Sequence, residues 1–395
     1  MKASILAFAT DLADEGVDAV LDNVQARGGL GGISIAAAYH EGRDVFPHNP
    51  VRKVRFLEGG AVFFPPDRER WRGVRLRPSV SESAGVFPQA LAAARARGLA
   101  VNAWTVFLHN GALAARHPDC APENAFGDRY VTELCPAHPD VRAFACALAA
   151  DVAALGIDAI CAESLHFHGL EHGTAHERYF VPLGALARFL FGLCFCEHCV
   201  AAADGVDGAA LRRFVRVELE RVLAGGPEEP VEELDRDEVA GLAGGELGGY
   251  LIARERTVTS LVTEVAAAAA GTRLELIDLS GAIKGYATGR PTGAPAASIA
   301  WQHGVDVEAV AAACHGIEAV GYAVGADRLR FDLDAYGDAA VAVILRPAPP
   351  DCASDENLRE KVAVARERGL GRVDFYHYGL MRLDALDRIR EALRP

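Results

Sequence analysis

The stretch Ile160–Gly169, ICAESLHFHG, closes an apolar run on a carboxylate and follows it at once with two imidazoles. A glutamate that ends a buried strand is partly desolvated. Desolvation disfavours the ionised form, so the pKa of Glu163 is expected to rise toward the range of a general acid. Hydrolysis of a glycosidic bond needs a second carboxylate, at about 5 Å for retention or roughly 6.5–9.5 Å for inversion. Asp278 is the first candidate, and Asp351 in RPAPPD the second. The imidazoles of His166 and His168, with Glu163, form an alternative set that suits a catalytic divalent metal. His172 and His176 at i, i+4, with Glu171 or Glu177 nearby, extend that histidine-rich stretch. Lys284, just past the strand that carries Asp278, is a Schiff-base alternative.

A second cluster sits further along the chain. Cys194, Cys196 and Cys199 in CFCEHC have the C-x-C-x-x-C spacing that lets three thiolates converge on one zinc. The expected fourth ligand is Cys135, with His198 and Cys120 as alternatives. Four thiolates close a tetrahedral shell and leave no position for water, so the metal's role would be structural. Cys161, inside an apolar strand, is expected in the core.

The elements that must position these groups repeat. SILAFAT, GISIAAAYH, LAVNAWTVFLHN, IDAICAES, LELIDLSG, IEAVGYA, AVAVILRP and VDFYHYGLM are strand-like runs separated by Ala-rich amphipathic stretches. Such alternation predicts an α/β fold, a (β/α)8 TIM barrel, forming one domain over 1–395. A mostly helical insertion over 165–272, after the fourth strand, carries the cysteines. An open doubly wound sheet is the competing arrangement, but no G-x-G-x-x-G or P-loop pattern follows any strand. VRKVRFLEGGAVFFPPD is predicted to be a hairpin turned at Glu58-Gly59-Gly60.

In a barrel the chemistry gathers where strands end. Those ends hold Tyr39 and His40, with Arg43, His48 and Asn49 beyond; Trp104, His109 and Asn110; Glu163 and His168; Arg346; and Tyr376, His377 and Tyr378. Aromatic faces interleaved with hydrogen-bonding side chains suit a sugar ring, whose C–H faces stack while its hydroxyls seek fixed partners. Tyr39, His40, Trp104, His109, Asn110, His168, Tyr376 and His377 are therefore the expected substrate contacts.

Composition narrows the partners. The 395 residues carry 54 acids against 40 bases, a formal charge of −14, which argues against a phosphate-backbone ligand. No nucleic acid and no membrane partner is expected. A carbohydrate substrate and an arrangement as a homo-oligomer are compatible with this balance. No segment reads as a signal peptide or membrane span, and nine cysteines suit a reducing compartment, so a cytoplasmic location is expected.

The order of these features resembles glycoside hydrolase family 42, the β-galactosidases, and related glycosyl-hydrolase-like barrels. The resemblance runs from Gly127 to Ala203, through Cys135-Pro136, Glu163 and the Cys194, Cys196, Cys199 segment. It implies a zinc on the four cysteines and an acid/base role for Glu163. Two departures stand out. The family has Asn before the acid/base Glu, where this chain has Ala162. The family's nucleophile is a Glu ending strand seven, where this chain offers only Asp351 beyond the strand. The expectation is a glycoside hydrolase with Glu163 as acid/base and Asp278 as second carboxylate. The alternatives are a metal-dependent hydrolase or isomerase using Glu163, His166 and His168, and a non-catalytic sugar-binding barrel.

Overall fold

A computed structural model describes residues 1–171, 178–228, 233–281, 290–352 and 354–394. The expected Lys284, His172, His176 and Glu177 lie outside the described residues. The strands β1 (Lys2–Ala7), β2 (Gly32–Tyr39), β3 (Ala100–Val106), β4 (Ala159–Glu163), β5 (Arg273–Asp278), β6 (Ile317–Val320), β7 (Ala340–Leu345) and β8 (Arg372–Phe375) each pair in parallel with the next. β8 pairs back onto β1, which closes the sheet into a (β/α)8 barrel. The strands are almost continuously buried because helices cover their outer face while side chains fill the inside.

Alternation along each strand sorts residues between these two faces. Ser4 and Ser34, whose hydroxyls lie 3.2 Å apart, and Asn102, whose amide donates to Ser34 at 3.1 Å, point inward. So do Cys161, Glu275, Glu318, Arg372 and Asp374, which meet at the barrel axis. Two residues further along, Trp104 and Glu163 occupy the next inner layer, toward the C-terminal mouth.

Between β4 and β5 the described residues form helices Ala185–Phe191, Glu197–Ala202, Gly208–Leu223, Arg236–Ala240 and Glu246–Ala268. The last packs against Pro139–Ala154 on one side and Val307–Ala313 on the other, so it takes the place of an outer barrel helix. Among the described residues no helix is long and apolar enough to cross a membrane.

The hairpin near residue 58 differs from expectation. Val54–Leu57 pairs antiparallel with Gly42–Val45, upstream of it, whereas Ala61–Val62 pairs back onto β2. The turn at Gly59-Gly60 therefore joins two separate pairings. Gly60 has φ +63°, and a Cβ there would lie 2.0 Å from Asn110 Oδ1, so that loop seats directly on the end of β3.

Candidate active site

Glu163 ends β4 on the inner face. Its Oε2 accepts a hydrogen bond from Trp104 Nε1 at 2.6 Å. Burial raises its pKa, with His40 and the Trp104 indole opposing. The carboxyl thus favours its protonated form more than a solvated glutamate does. Trp104 has only a donor to offer, so it holds the group without taking its proton.

The walls around this acid are aromatic. Tyr39 and Trp104 meet edge to face at 4.6 Å, and Trp104 and Tyr376 at 5.8 Å. Phe8 stacks under Trp104 at 5.7 Å. Tyr39 and Tyr376 are hydrogen-bonded to each other, and both phenols are raised in pKa, chiefly by burial. Tyr322 lies against Tyr376 at 5.8 Å, with the Arg346 guanidinium over its ring at 4.1 Å. His40 stacks on Tyr39 at 4.2 Å and is an electrostatic neighbour of Glu163. His377 sits beneath, with its ring 4.0 Å from Phe8. Burial, with His48 adding, lowers its pKa to about 3, so it is neutral at physiological pH.

The chain turns sharply after Glu163. Ser164 adopts φ +60°, a left-handed conformation that costs a non-glycine residue about 1–2 kcal/mol. Strain of this kind recurs at functional sites. The residues that follow belong to a different neighbourhood. His166 Nδ1 lies 2.7 Å from the Phe167 carbonyl oxygen, and its ring stacks on His303 at 5.0 Å. His168 pairs with buried Glu133. His40, His109, His168, His166 and His303 form a continuous column, with ring separations of 4.3, 5.7, 5.0 and 5.0 Å in that order. The column leads to a cavity of about 170 Å³ lined by His166, His168, Arg188, Phe189, Gln302 and His303. Glu163 does not line that cavity. Nor do Glu163, His166 and His168 appear among the clusters of described residues whose ligand atoms converge.

Both carboxylates expected beside Glu163 are engaged by other partners. Asp278 is the immediate neighbour of inward-facing Ile277 and so points out of the barrel. Its Oδ1 accepts from the Ser280 hydroxyl at 2.5 Å and backbone N–H at 2.9 Å, and its Oδ2 from the Tyr336 hydroxyl at 2.5 Å. Asp351 is fully buried and ion-paired with Arg346 Nε at 2.6 Å. Asn110, expected to touch substrate, instead caps a helix, its Oδ1 accepting from the Leu113 N–H at 3.0 Å. Tyr39, His40, Trp104, Glu163, Tyr376 and His377 come together. His109 joins them through His40, and His168 stands one ring further away.

Sequence reasoning missed three members of this neighbourhood. Tyr322 lies two residues past inward-facing Val320, so extending the alternation of β6 by one step would have found it. Phe8 precedes the helix Ala9–Glu15 and forms the floor. Asp44, in the strand Gly42–Val45, is half-buried while Arg43 and Val45 on either side are exposed. It neighbours Tyr39, His40 and Tyr376 electrostatically, and burial raises its pKa against the pull of His40.

The cysteine cluster has the expected members. Cys135 Sγ lies 3.8, 3.7 and 3.4 Å from the Sγ atoms of Cys194, Cys196 and Cys199, and all four residues are buried. A tetrahedron with metal–sulfur bonds of about 2.3 Å has edges of about 3.8 Å. The side chains therefore fit a tetrahedral thiolate-bound ion. Arg254 is buried nearby, and its Nε and Nη1 have no hydrogen-bond partner among the described residues. Cys161, Glu275 and Glu318 also converge, but the Arg372 guanidinium occupies their midst.

Comparison with known proteins places the barrel among familiar ones. The chain is similar to alpha-L-fucosidase isoenzyme 2 from Paenibacillus thiaminolyticus, at 10% identity and TM-score 0.53, over 99% of this chain and 49% of that one. It is similar to a β-galactosidase from the psychrophilic Marinomonas ef1, at 12% identity and TM-score 0.54, over 99% of this chain and 58% of that one. The catalytic domain of β-amylase from Paenibacillus polymyxa aligns at 12% identity and TM-score 0.52, over 99% and 97%. The likeness is one of fold. The chain spans about half the length of the first two proteins. No family model and no curated protein sequence matches it.

Proposed function

We propose that the protein is a glycoside hydrolase in which Glu163 protonates the leaving oxygen of a sugar bound against Trp104, Tyr39 and Tyr376. One observation carries this reading: a desolvated carboxyl at the end of β4, oriented by a donor-only indole and ringed by aromatic side chains. A general acid must hold its proton at working pH and sit within reach of the departing oxygen. The aromatic walls supply stacking faces for a pyranose. The resemblance to family 42, resting on Cys135, Glu163 and the Cys194–Cys199 segment, supports the same reading, as does the company of glycoside hydrolases among similar folds. Glu163→Gln is expected to lower turnover of alkyl glycosides by about 10²–10⁴. Dinitrophenyl glycosides, whose leaving group needs no proton, should be nearly spared. Equal loss on both substrates removes Glu163 as the acid.

A second reading has an observation in its favour. Asp278 is held by Ser280 and Tyr336 and Asp351 by Arg346, so a sugar-binding barrel without turnover is its natural rival. Sugar binding by calorimetry with no hydrolysis on any glycoside would select it.

Zinc on Cys135, Cys194, Cys196 and Cys199 belongs to the same proposal. A zinc tetrathiolate carries two negative charges, and the under-bonded guanidinium of Arg254 would offset part of that charge. The ion would tie the loop after β3 to the helices that follow β4, away from the reacting atoms. Purified protein should contain one zinc per chain, and Cys196→Ser should lose it and become protease-sensitive near residue 200. A protein with no bound metal and four reduced thiols would reject the assignment.

A further inference from the structure

We propose that the cavity beyond the histidine column is a second, non-catalytic binding site for a neutral, hydroxyl-bearing ring the size of one sugar unit, held by His166, Gln302 and Arg188. The site goes beyond the glycosidase reading given above and does not depend on Glu163, which lies outside it.

His166 supplies the observation that points to a ligand. It is wholly buried, and its Nδ1 lies 2.7 Å from the Phe167 carbonyl oxygen. A carbonyl oxygen only accepts, so Nδ1 carries the proton. Burial lowers the pKa of the ring and keeps it neutral, which leaves Nε2 as a bare lone pair. Among the described residues no donor answers that nitrogen. The two ring nitrogens point in nearly opposite directions. With Nδ1 turned back onto the backbone, Nε2 is directed off the chain, and the ring borders the cavity. A buried acceptor without a donor is uncommon in folded proteins, and a ligand hydroxyl would satisfy it.

Internal ties fix the walls. The Phe167 N–H donates to the His303 carbonyl oxygen at 3.1 Å, and Arg254 Nη2 donates to the Gln302 carbonyl oxygen at 2.9 Å. Together with the stacked rings of His166 and His303, these bonds join the segment after β4 to the segment before Val307–Ala313. Phe189 is held edge to face on Trp301 at 5.1 Å. Gly192 and Gly169 both border the cavity, and they meet so closely that a Cβ on Gly192 would lie 3.1 Å from Gly169 Cα. A preformed hollow with apolar walls and a few placed polar groups is the common form of a small-molecule site.

Size and charge narrow the ligand. The volume of about 170 Å³ exceeds what one water needs and is close to the roughly 150 Å³ that accepts a benzene ring. Phe189, Leu279 and Ile299 offer apolar surface to the C–H faces of such a ring. Nε2 of His166 can only accept, the Arg188 guanidinium can only donate, and the Gln302 amide can do both. A hydroxyl donates and accepts, so a ring carrying several meets all three. The charge of Arg188 is answered by Glu171, whose carboxylate lies 3.8 Å from Nε, and its Nη1 donates to the Leu183 carbonyl oxygen at 3.1 Å. A carboxylate or phosphate would therefore meet Glu171 and a cation already paired, which favours a neutral ring. Arg188 and Glu171 are also part-exposed, so the cavity can be entered from solvent beside them.

The test uses the full chain, with D-glucose and D-galactose as probes and D-glucuronate as their charged counterpart. Nitrogen NMR of histidine-labelled protein should show His166 protonated on Nδ1. At least one hexose should then move its Nε2 resonance toward that of a protonated nitrogen. Ala185→Trp, which fills the cavity from the first turn of Ala185–Phe191, should abolish that response. His166→Phe should weaken calorimetric binding about tenfold. Trp104→Leu, at the mouth, should leave the response in place, and circular dichroism checks that each variant is folded. No response of His166 to either hexose at tens of millimolar overturns the inference, as does tighter binding of glucuronate. A response lost in Trp104→Leu but kept in Ala185→Trp puts the sugar at the mouth and overturns it too. None of these readouts uses turnover, so a protein that cleaves no glycoside would sink the glycosidase reading and leave this test intact.

Discussion

A cluster of three carboxyl groups and a single one lie one above the other along the barrel axis, and they are built on opposite principles. In the lower layer Glu275, Glu318 and Asp374 surround one guanidinium. Arg372 Nη1 reaches Glu275 at 2.6 Å, Nη2 reaches Glu318 at 3.3 Å, and Nε bonds Asp374. Ser4 adds a further donor to Asp374. In the upper layer Glu163 has an indole N–H, an imidazole neighbour and aromatic walls, and among the described residues no cation is bonded to it. Burial alone therefore does not mark a site. Below, buried charge is compensated within the barrel; above, burial favours the neutral, protonated carboxyl instead.

The largest expected effect breaks the lower layer. Arg372→Met would remove the cation that three buried carboxyl groups share, leaving Glu275 its Arg273 partner at 2.8 Å but Asp374 with none, a type of change that costs about 3–5 kcal/mol. Thermal melting followed by circular dichroism should show a much lower midpoint, or no folded protein. A variant within about 1 kcal/mol of the wild type would mean that the layer tolerates an unpaired charge, and the contrast with the mouth would lapse.

Glu163→Gln should do the reverse: lose turnover by about 10²–10⁴ while keeping the fold. Its stability effect has a definite sign. The folded pKa of Glu163 is raised, so its contribution favours the folded state fully below the unfolded pKa and is lost as pH rises through the folded value. Glutamine does not ionise. The variant should match the wild type in acid and become relatively more stable as pH rises above the ordinary carboxylate range. Urea titrations at pH 4 and pH 8 measure this. Activity should fall with rising pH over the same interval, because the acid must hold its proton.

These contrasts also explain what the sequence could convey. The eight strands were legible because buried parallel strands are continuous apolar runs. Glu163, Trp104, Tyr39 and Tyr376 were legible because strand ends face the mouth. Asp278 was misassigned because placing a residue at a strand end does not fix its face. Ile277 beside it points inward, and one step of the alternation sends Asp278 outward to Tyr336. Asp44 was invisible for another reason. Its strand is on a hairpin in which Val54–Leu57 pairs with Gly42–Val45 and Ala61–Val62 pairs with β2, whereas the Gly59-Gly60 turn signal pointed to a hairpin downstream. The four cysteines were legible together because three are local in spacing and Cys135 was the expected fourth, a choice that the resemblance supported.

The smallest expected effect sharpens the lower layer from within. Glu318 has its pKa raised by burial and by Asp374, while Asp374, despite burial, is held low by Arg372 and by hydrogen bonds from Glu318 and Ser4. The two behave as a neutral acid donating to a carboxylate. Glu318→Gln replaces an O–H donor with an N–H donor of nearly the same shape, so stability at pH 7 should change by no more than about 1 kcal/mol. Asp374→Asn, by contrast, removes the charge that Arg372 answers and should cost several times more. Denaturant midpoints for the two variants decide between this proton placement and its reverse. If Glu318→Gln is the more damaging change, the charge sits on Glu318, and the layer is held together by an Arg372–Glu318 ion pair.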